Sequence, residues 1–262
     1  MVAGFPHVRC RGCGTVFVSP LPPPRVVQAT YLDPGYHGDV AASEERMRAE
    51  AQARARVMHD RGCRRVLEVG CGAGFFVEAL LELGIDAEGV DPGPQAQRAA
   101  ARGLPIHPIW LEDHHPSAPY DGVAMFELLE HLPEPVDALR WCHRWMSSRA
   151  TLALSTPSAS GLPARILGRR FPMLCPPNHL EVFTRRGVAA LLQRGGFRPF
   201  RWQSFSNLDH AALQRSLQRF FLGTSPPAQW ASAAIATLAH PPVQLIDRIG
   251  LGISFEVYAE NH

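Results

Sequence analysis

The sequence predicts an α/β fold: a doubly wound parallel sheet with helices on both faces. Three observations predict it. From Arg65 onward, short apolar runs of strand length alternate with amphipathic stretches of helix length. One run, Arg65-Val66-Leu67-Glu68-Val69, passes directly into Gly70-Cys71-Gly72-Ala73-Gly74 and then into a helical pattern at Phe75, a strand, tight loop and helix in succession. Tyr120 to Phe126 is apolar or small almost throughout, as strands covered on both faces are.

Ahead of this core, residues 1–40 read as an arm. Cys10-Arg11-Gly12-Cys13-Gly14 has the spacing of one zinc knuckle, with Gly14 for the turn. A structural zinc site takes four ligands; a second CxxC is missing and His7 adds only a third. Cys10 and Cys13 are therefore candidate zinc ligands, set against a plain turn with free thiols. Pro20 to Pro24 reads as a stiff extended link. Tyr31, Pro34, Gly35 and Tyr36 read as an aromatic turn suited to covering a pocket mouth.

Ala41 to Arg61 is charged, alanine-rich and free of Gly and Pro, a helix opened near Ser43-Glu44-Glu45. After the glycine loop, Phe76, Leu80 and Leu83 recur at i, i+4 and i+7 with Glu78 and Glu82 facing out, and Gly84 ends that helix. Ala87 to Val90 is a strand closed by Asp91-Pro92; Pro94 to Arg102 is a helix; a short strand lies near Ile106. Glu127 to Arg149 contains a helix, and Thr151 to Ser155 is a strand. Thr184 caps a helix that Gly195-Gly196 stops. Phe197 to Phe205 and Ile253 to Ala259 are the late strands.

The core thus occupies 41–206 and 251–262, with a helical insertion at 207–250. In the insertion Leu213, Leu217, Phe220 and Phe221 make an apolar stripe for core packing, a lid or a dimer contact, and Pro241-Pro242 break the apolar segment Trp230 to Ala239.

Composition narrows the function. The net charge of +2 leaves no electrostatic footprint for nucleic acid or a polyanion. All 26 basic residues are Arg, so neither a Schiff-base lysine nor a phosphate-loop lysine is available. The six cysteines are too scattered for a disulfide framework. No charged stretch followed by an apolar core opens the chain and no apolar run approaches the length of a membrane span, so a cytoplasmic location is expected.

The glycine loop is a cofactor site in pattern. Glycines let a ligand lie against the backbone, and amides at the start of the following helix point toward it. A dinucleotide fingerprint requires GxGxxG; counted from Gly70, its third glycine falls on Phe75. The pattern is instead ExGxGxG, from Glu68 to Gly74, with Asp91 closing the next strand where a carboxylate accepts ribose hydroxyls.

On these motifs the sequence resembles the class I S-adenosylmethionine-dependent methyltransferases over about residues 62–203. Val66 to Gly74 is similar to that family's first motif, and Asp91 to its ribose-binding acid. Tyr120-Asp121-Gly122-Val123 followed by Glu127-Leu128-Leu129-Glu130-His131-Leu132 is similar to its fourth-strand motif. Asn178-His179-Leu180-Glu181-Val182-Phe183-Thr184 and Gly195-Gly196-Phe197 resemble the segment after strand five in a large bacterial branch, where a zinc-ribbon-like piece often precedes the domain; residues 8–36 resemble the second half of that piece. The resemblance implies a Rossmann-like sheet of seven strands, the last antiparallel.

It also implies roles. Gly70, Gly72 and Gly74 would line the methionine part of S-adenosylmethionine, Glu68 would face its ammonium side, and Cys71 would contribute backbone. Asp91 and Pro92 fall at the ribose, Leu111 and Glu112 at adenine, and Phe126 and Glu127 at the carboxyl edge of strand four. Glu127, Glu130 and His131 resemble a trio that holds a divalent cation, magnesium, in ubiquinone-pathway and small-RNA methyltransferases. His179, in the loop after strand five, is the first candidate for the general base and His131 the second, because a histidine titrating near neutrality suits proton removal from a hydroxyl. His114 and His115 sit on a proline-flanked loop expected to be exposed. The expected activity is methyl transfer to a small-molecule acceptor, O-methylation before C- or N-methylation. The alternatives are a non-catalytic methyltransferase-like binding module and, less favoured, an NAD-binding oxidoreductase.

Overall fold

The computed structural model describes residues 4–33, 43–206 and 225–262, with 214, 218, 222 and 223 between. Pro34, Gly35 and Tyr36 of the expected aromatic turn, and Leu213, Leu217, Phe220 and Phe221 of the expected stripe, lie outside the described residues.

The N-terminal segment folds as a hairpin, β1 (His7–Arg9) and β2 (Val16–Val18), followed by helix α1 (Pro24–Tyr31). Pro24 sits at the start of α1, where its missing N–H costs nothing. The helix α2 (Glu44–Asp60) then buries Ala51, Ala55 and Met58 against the core, with Arg46 and Glu50 paired one turn apart.

The core alternates strand and helix as its patterning requires: β3 (Arg65–Val69), α3 (Phe75–Glu82), β4 (Asp86–Val90), α4 (Pro94–Ala101), β5 (Ile106–His107), β6 (Tyr120–Phe126), α5 (Pro135–Trp145) and β7 (Met146–Pro157). After a short helix α6 (Leu162–Leu167) and a two-residue strand β8 (Glu181–Val182) come α7 (Arg185–Gly195), β9 (Phe197–Phe205), α8 (Pro226–Arg248) and β10 (Ser254–Asn261).

Seven strands form one sheet in the order β5-β4-β3-β6-β7-β10-β9. The first five are parallel, and β10 enters antiparallel between β7 and β9. This is the expected Rossmann-like sheet with its last strand reversed. Chain direction reverses between β3, whose connection leads outward to β4, and β6 on its other side; loops leaving the carboxyl ends of those two strands therefore splay apart and leave a crevice. Two apolar layers flank the sheet, one built around Leu67, Met125, Leu139 and Leu154, the other around Met58, Val66, Phe76 and Leu80.

A second sheet, β1-β2-β8, joins the N-terminal hairpin to the core, with Val16 opposite Val182 and Phe17 opposite Glu181. Thr184 reinforces the join: its Oγ1 accepts from Gly187 N at 3.0 Å, capping α7, and donates to the Cys13 carbonyl at 2.7 Å, the cap alone contributing about 1 kcal/mol.

Two local expectations are corrected. Helix α8 continues through Pro241 and Pro242, because both sit on an exposed stretch of the helix, where a break in the hydrogen-bond ladder is mild. His114 is buried, its Nε2 2.9 Å from the Tyr120 hydroxyl, because the loop folds back under β6.

Candidate functional site

Every site residue expected from the sequence except the two cysteines of the arm lies in or after β3, β4, β5, β6 or β7, at the carboxyl edge of the sheet. The glycine loop leaves β3 in left-handed backbone at three points, Gly70, Gly72 and Gly74, with φ of +75°, +48° and +79°. Their surroundings differ. A Cβ on Gly70 would meet Leu128 Cδ1 at 2.9 Å, and one on Gly74 would meet Ile106 Cδ1 at 2.7 Å, whereas one on Gly72 would come no nearer than 4.0 Å to anything, its closest neighbour being Gln95 Oε1. Gly72 alone of the three has open space over its α-carbon; Gly74 packs the loop against β5 and its flank.

That open space belongs to a cavity of about 720 Å³ walled by Glu68, Gly70, Cys71, Gly72, Phe126 and Glu127 on the sheet side, with His131 and His179 further along and α2 across the top. A second cavity, of about 340 Å³, adjoins it on the β4 side, lined by Pro92, Trp110, Leu111, Glu112, Leu128 and Trp141. Tyr31, Gly70, Leu128 and His131 line both, so the two volumes meet at those residues. Together they make an elongated crevice with a narrow apolar end and a wider, charged end.

Asp91 is fully buried at the junction. Its Oδ1 accepts from Gly93 N at 2.6 Å, and its Oδ2 from Gly72 N at 2.9 Å and from the Tyr31 hydroxyl at 3.0 Å. The carboxylate thus holds the glycine loop, the start of α4 and the end of α1 at one point.

Glu68 is buried below the loop with Oε2 lacking any partner; burial pushes its carboxyl well above the usual range, against the pull of the Arg54 guanidinium. The Cys71 thiol turns away from the cavity toward Gly89 and is likewise raised by burial, so it is an inert packing group and only its backbone faces the site. Phe126 carries the Arg54 guanidinium 4.1 Å over its ring, and Arg54 in turn bonds Glu256 at 2.7 Å.

Glu127 adopts φ of +47°, in the left-handed region that a non-glycine side chain reaches at a cost of about 1–2 kcal/mol. Its N–H donates to the Ser155 carbonyl and hydroxyl, at 3.0 and 3.1 Å, which holds the strained turn. The turn aims its side chain into the cavity, accessible to solvent there yet surrounded by protein, and this enclosure raises its carboxyl despite Ser155 and Arg54.

The second cluster is Glu130, His131 and His179, whose ligand-type atoms all lie within 4.8 Å of one another. Glu130 is buried; Oε2 accepts from Thr156 Oγ1 at 2.9 Å and Oε1 has no partner. His131 Nδ1 lies 2.7 Å from the Asn178 carbonyl and His179 Nδ1 2.8 Å from the Met173 carbonyl. A carbonyl only accepts, so both Nδ1 atoms carry the proton. The rings meet edge to face with centroids 4.8 Å apart, and His131 Nε2 stands 4.0 Å from Glu130 Oε1. Burial lowers the His179 pKa below the ordinary imidazole value, which keeps it neutral at pH 7. Burial and the nearby Glu127 carboxylate push Glu130 well up.

Cys10 and Cys13 lie in the hairpin turn. Backbone N–H groups of residues 12–14 lower the Cys10 thiol, as a knuckle turn does, and Cys13 Sγ donates to Thr15 Oγ1 at 3.3 Å. Among the described residues no third ligand gathers with them, so the expected zinc ligands are two where a structural site takes four.

The crevice thus lies at a topological switch point, with a glycine loop after one strand and a buried acid after the next. The profile of a family described as "Methyltransferase domain" covers residues 39–200. The chain belongs to that family. The family members' fold, the S-adenosylmethionine-dependent methyltransferase of class I, is therefore this chain's fold. A ubiquinone biosynthesis O-methyltransferase of Pseudomonas aeruginosa is 33% identical over 103 residues, 36% of this chain and 44% of that protein. One of Sodalis glossinidius is 29% identical over 173 residues, 61% of this chain and 68% of that protein. The chain thus spans less than half of the first of these relatives. Among solved structures, an S-adenosylmethionine-dependent methyltransferase from Archaeoglobus fulgidus superposes with a TM-score of 0.56 at 23% identity, covering 81% of this chain and 94% of that one. The plantazolicin methyltransferase BpumL, in complex with S-adenosylhomocysteine, gives 0.55 at 13%, covering 90% and 94%.

Residues to which the sequence motifs assign no role also build this crevice. Trp110 and Leu128 wall the narrow cavity, Arg54 and Gln95 the wide one, and Asn178 and Met173 orient the histidines through their carbonyls. Only Arg54, an arginine on the sheet-facing side of a helix, left a trace in the periodicity; a backbone carbonyl leaves none.

Proposed function

We propose that this chain transfers the methyl group of S-adenosylmethionine to a hydroxyl of a small-molecule acceptor, with His179 as general base. The observation that carries the reading is the fixed tautomer of His179: its Nδ1–H is committed to the Met173 carbonyl, leaving Nε2, neutral at pH 7, to take a proton beside the wide cavity. S-adenosylmethionine supplies an electrophilic methyl on a sulfonium. The chain's own residues are compatible with it: open space over Gly72 for the methionine part, the unpartnered Glu68 Oε2 for its ammonium, Pro92 with Asp91 buried behind it for the ribose, and Leu111 and Glu112 beside Trp110 for the adenine. With that group bound, His179 Nε2 would take the proton of an acceptor hydroxyl held in line with the methyl group, as its oxygen displaces S-adenosylhomocysteine. That the relatives are named O-methyltransferases supports oxygen as the acceptor atom.

A specific observation favours a second reading of the same cluster. Two imidazoles and the unpartnered Glu130 Oε1 form a donor set for a divalent cation, with both Nδ1–H groups held by carbonyls as ligating histidines are. Two nitrogens among the donors suit zinc or a similar borderline ion better than magnesium, which takes oxygen. In that reading Glu130, His131 and His179 would hold the ion, which would supply Lewis-acid activation of the acceptor's oxygen.

The test is S-adenosylhomocysteine release across a panel of phenolic and aliphatic hydroxyl acceptors, with and without a chelator. The base reading expects turnover that survives chelation, disappears in His179→Ala, and falls only as pH drops through the lowered His179 pKa. Loss on chelation with recovery on zinc supports the cation. Binding of S-adenosylhomocysteine with no turnover on any acceptor favours the non-catalytic module.

A further inference from the structure

Helix α8 is apolar on two opposite faces. One face, with Ala228, Ser232 and Ala236, is buried against the protein. Around it Gln218 Nε2 donates to Ser232 Oγ at 2.9 Å, and Asp247 at the far end accepts from Ser206 N and Oγ, so this face of the helix is anchored along its length. On the opposite side Trp230 is 81% exposed, Leu238 77%, Ile249 61%, Leu245 59% and Ile235 41%. At 100° per residue these five fall within an arc of about 140°, interspersed with the small exposed residues Ala231 and Ala234. From Pro226 to Ile246 there is no Asp, Glu, Lys or Arg. A helix on a protein surface ordinarily turns charged residues to water; one apolar all round is ordinarily covered.

We propose that this face is the two-fold interface of a homodimer, α8 of one copy lying antiparallel on α8 of the other. Three features select a second copy as the occupant. The stripe is nearly centred on Leu238, so an antiparallel pairing puts Leu238 near the axis and sets Trp230 of each copy against Leu245 of its partner, a self-complementary contact. Large side chains alternate with Ala231 and Ala234, so one copy's bulk meets the other's gaps. The five residues expose about 700 Å² per copy, above the largest patch on most monomers, and full burial on both copies would remove about 1,400 Å², the size of a specific dimer interface. A bilayer surface is the poorer occupant, because interfacial helices carry a cationic polar face opposite the apolar one, and here the opposite face is anchored to protein.

The experiment is light scattering and sedimentation equilibrium on the full chain between 1 and 200 µM (about the working range of both). The expected mass is twice the monomer's 28.8 kDa, and Leu238→Glu is expected to return it to the monomer with at least a tenfold weaker association. Leu238 is exposed in the single chain, so the substitution leaves the fold intact; an unchanged circular dichroism spectrum and unchanged S-adenosylhomocysteine affinity check this, and Trp230→Ser serves as the second variant. A wild-type chain that stays monomeric throughout overturns the proposal, as does a dimer that both variants leave unaltered. A monomer that sediments with phosphatidylglycerol vesicles, losing this in Leu238→Glu, overturns it in favour of a bilayer.

Discussion

Gly72 and Gly74 stand two residues apart in one motif, yet the same substitution at each is expected to damage different properties. At Gly74 an alanine meets two costs. Its φ of +79° is left-handed, worth about 1–2 kcal/mol against a Cβ, and the Cβ lands 2.7 Å from Ile106 Cδ1 and 2.9 Å from Leu104 Cδ1, an overpacking of about 1–3 kcal/mol. The sum is about 3 kcal/mol, or ~6–12 °C in melting temperature for a domain of this size. At Gly72 only the first cost applies, because the nearest atom is 4.0 Å away; about 1 kcal/mol and ~2–4 °C are expected. The new methyl instead projects into the crevice, and S-adenosylhomocysteine affinity is expected to fall at least tenfold. Differential scanning fluorimetry reads the first property and isothermal titration the second. If Gly74→Ala melts like the parent, the packing role is wrong. If Gly72→Ala binds S-adenosylhomocysteine as the parent does, the ligand does not lie over this loop.

Two further variants bear on the acid and on the arm. Asp91→Asn retains the shape of the side chain but replaces a charged acceptor of three hydrogen bonds; S-adenosylhomocysteine affinity is expected to fall about 10–100-fold, and titration showing parental affinity would refute a ribose role. Glu181, on β8 facing the hairpin, has its pKa raised to about 7 by burial and by Glu134. Its folded value lies above its unfolded one, so its unfavourable contribution is absent below about pH 4.5, builds up between about pH 4.5 and 7 and is complete above, reaching about 3 kcal/mol. Glu181→Gln is therefore expected to raise the melting temperature at pH 8 by several degrees and hardly at pH 5; an equal change at both would show that the charge is not the cause.

What the sequence made legible follows from how each element is buried. Strands β3, β4, β6 and β7 are covered on both faces, so their apolar runs stand out from the helices between them, and the switch at Glu68–Gly74 is marked by glycines whose backbone no other residue adopts cheaply. Strands β1, β2 and β8 have three, three and two residues. Runs so short carry no period, and the partner of Val16 is Val182, which local pattern does not reach. Helix α8 hid behind its two prolines because a break in the hydrogen-bond ladder is costly in a buried helix and mild in an exposed one. The proline flanks of His114 suggested a solvated loop, while the deciding contact, the Tyr120 hydroxyl, lies on a strand that buries it.

At the site, residue types were legible and their availability was not. Glu127, Glu130, His131 and His179 are chemically suggestive wherever they occur. Which nitrogen of His179 takes a proton is set by the Met173 carbonyl, and which oxygen of Glu130 lacks a partner is set by Thr156. Asp91 makes the same point most fully. Its position after β4 identifies it as an acid at a crevice, but of its lone pairs three already serve Gly93 N, Gly72 N and the Tyr31 hydroxyl. Two of those donors are fixed backbone of the loop and helix that shape the crevice. The third is a side chain at the end of α1, lining both cavities where they meet. A carboxylate offers about four such sites, so a vicinal diol that used two of them would have to share or replace the Tyr31 bond. The N-terminal arm, which composition alone set apart from the core, therefore contacts the core at the acid on which the crevice is built.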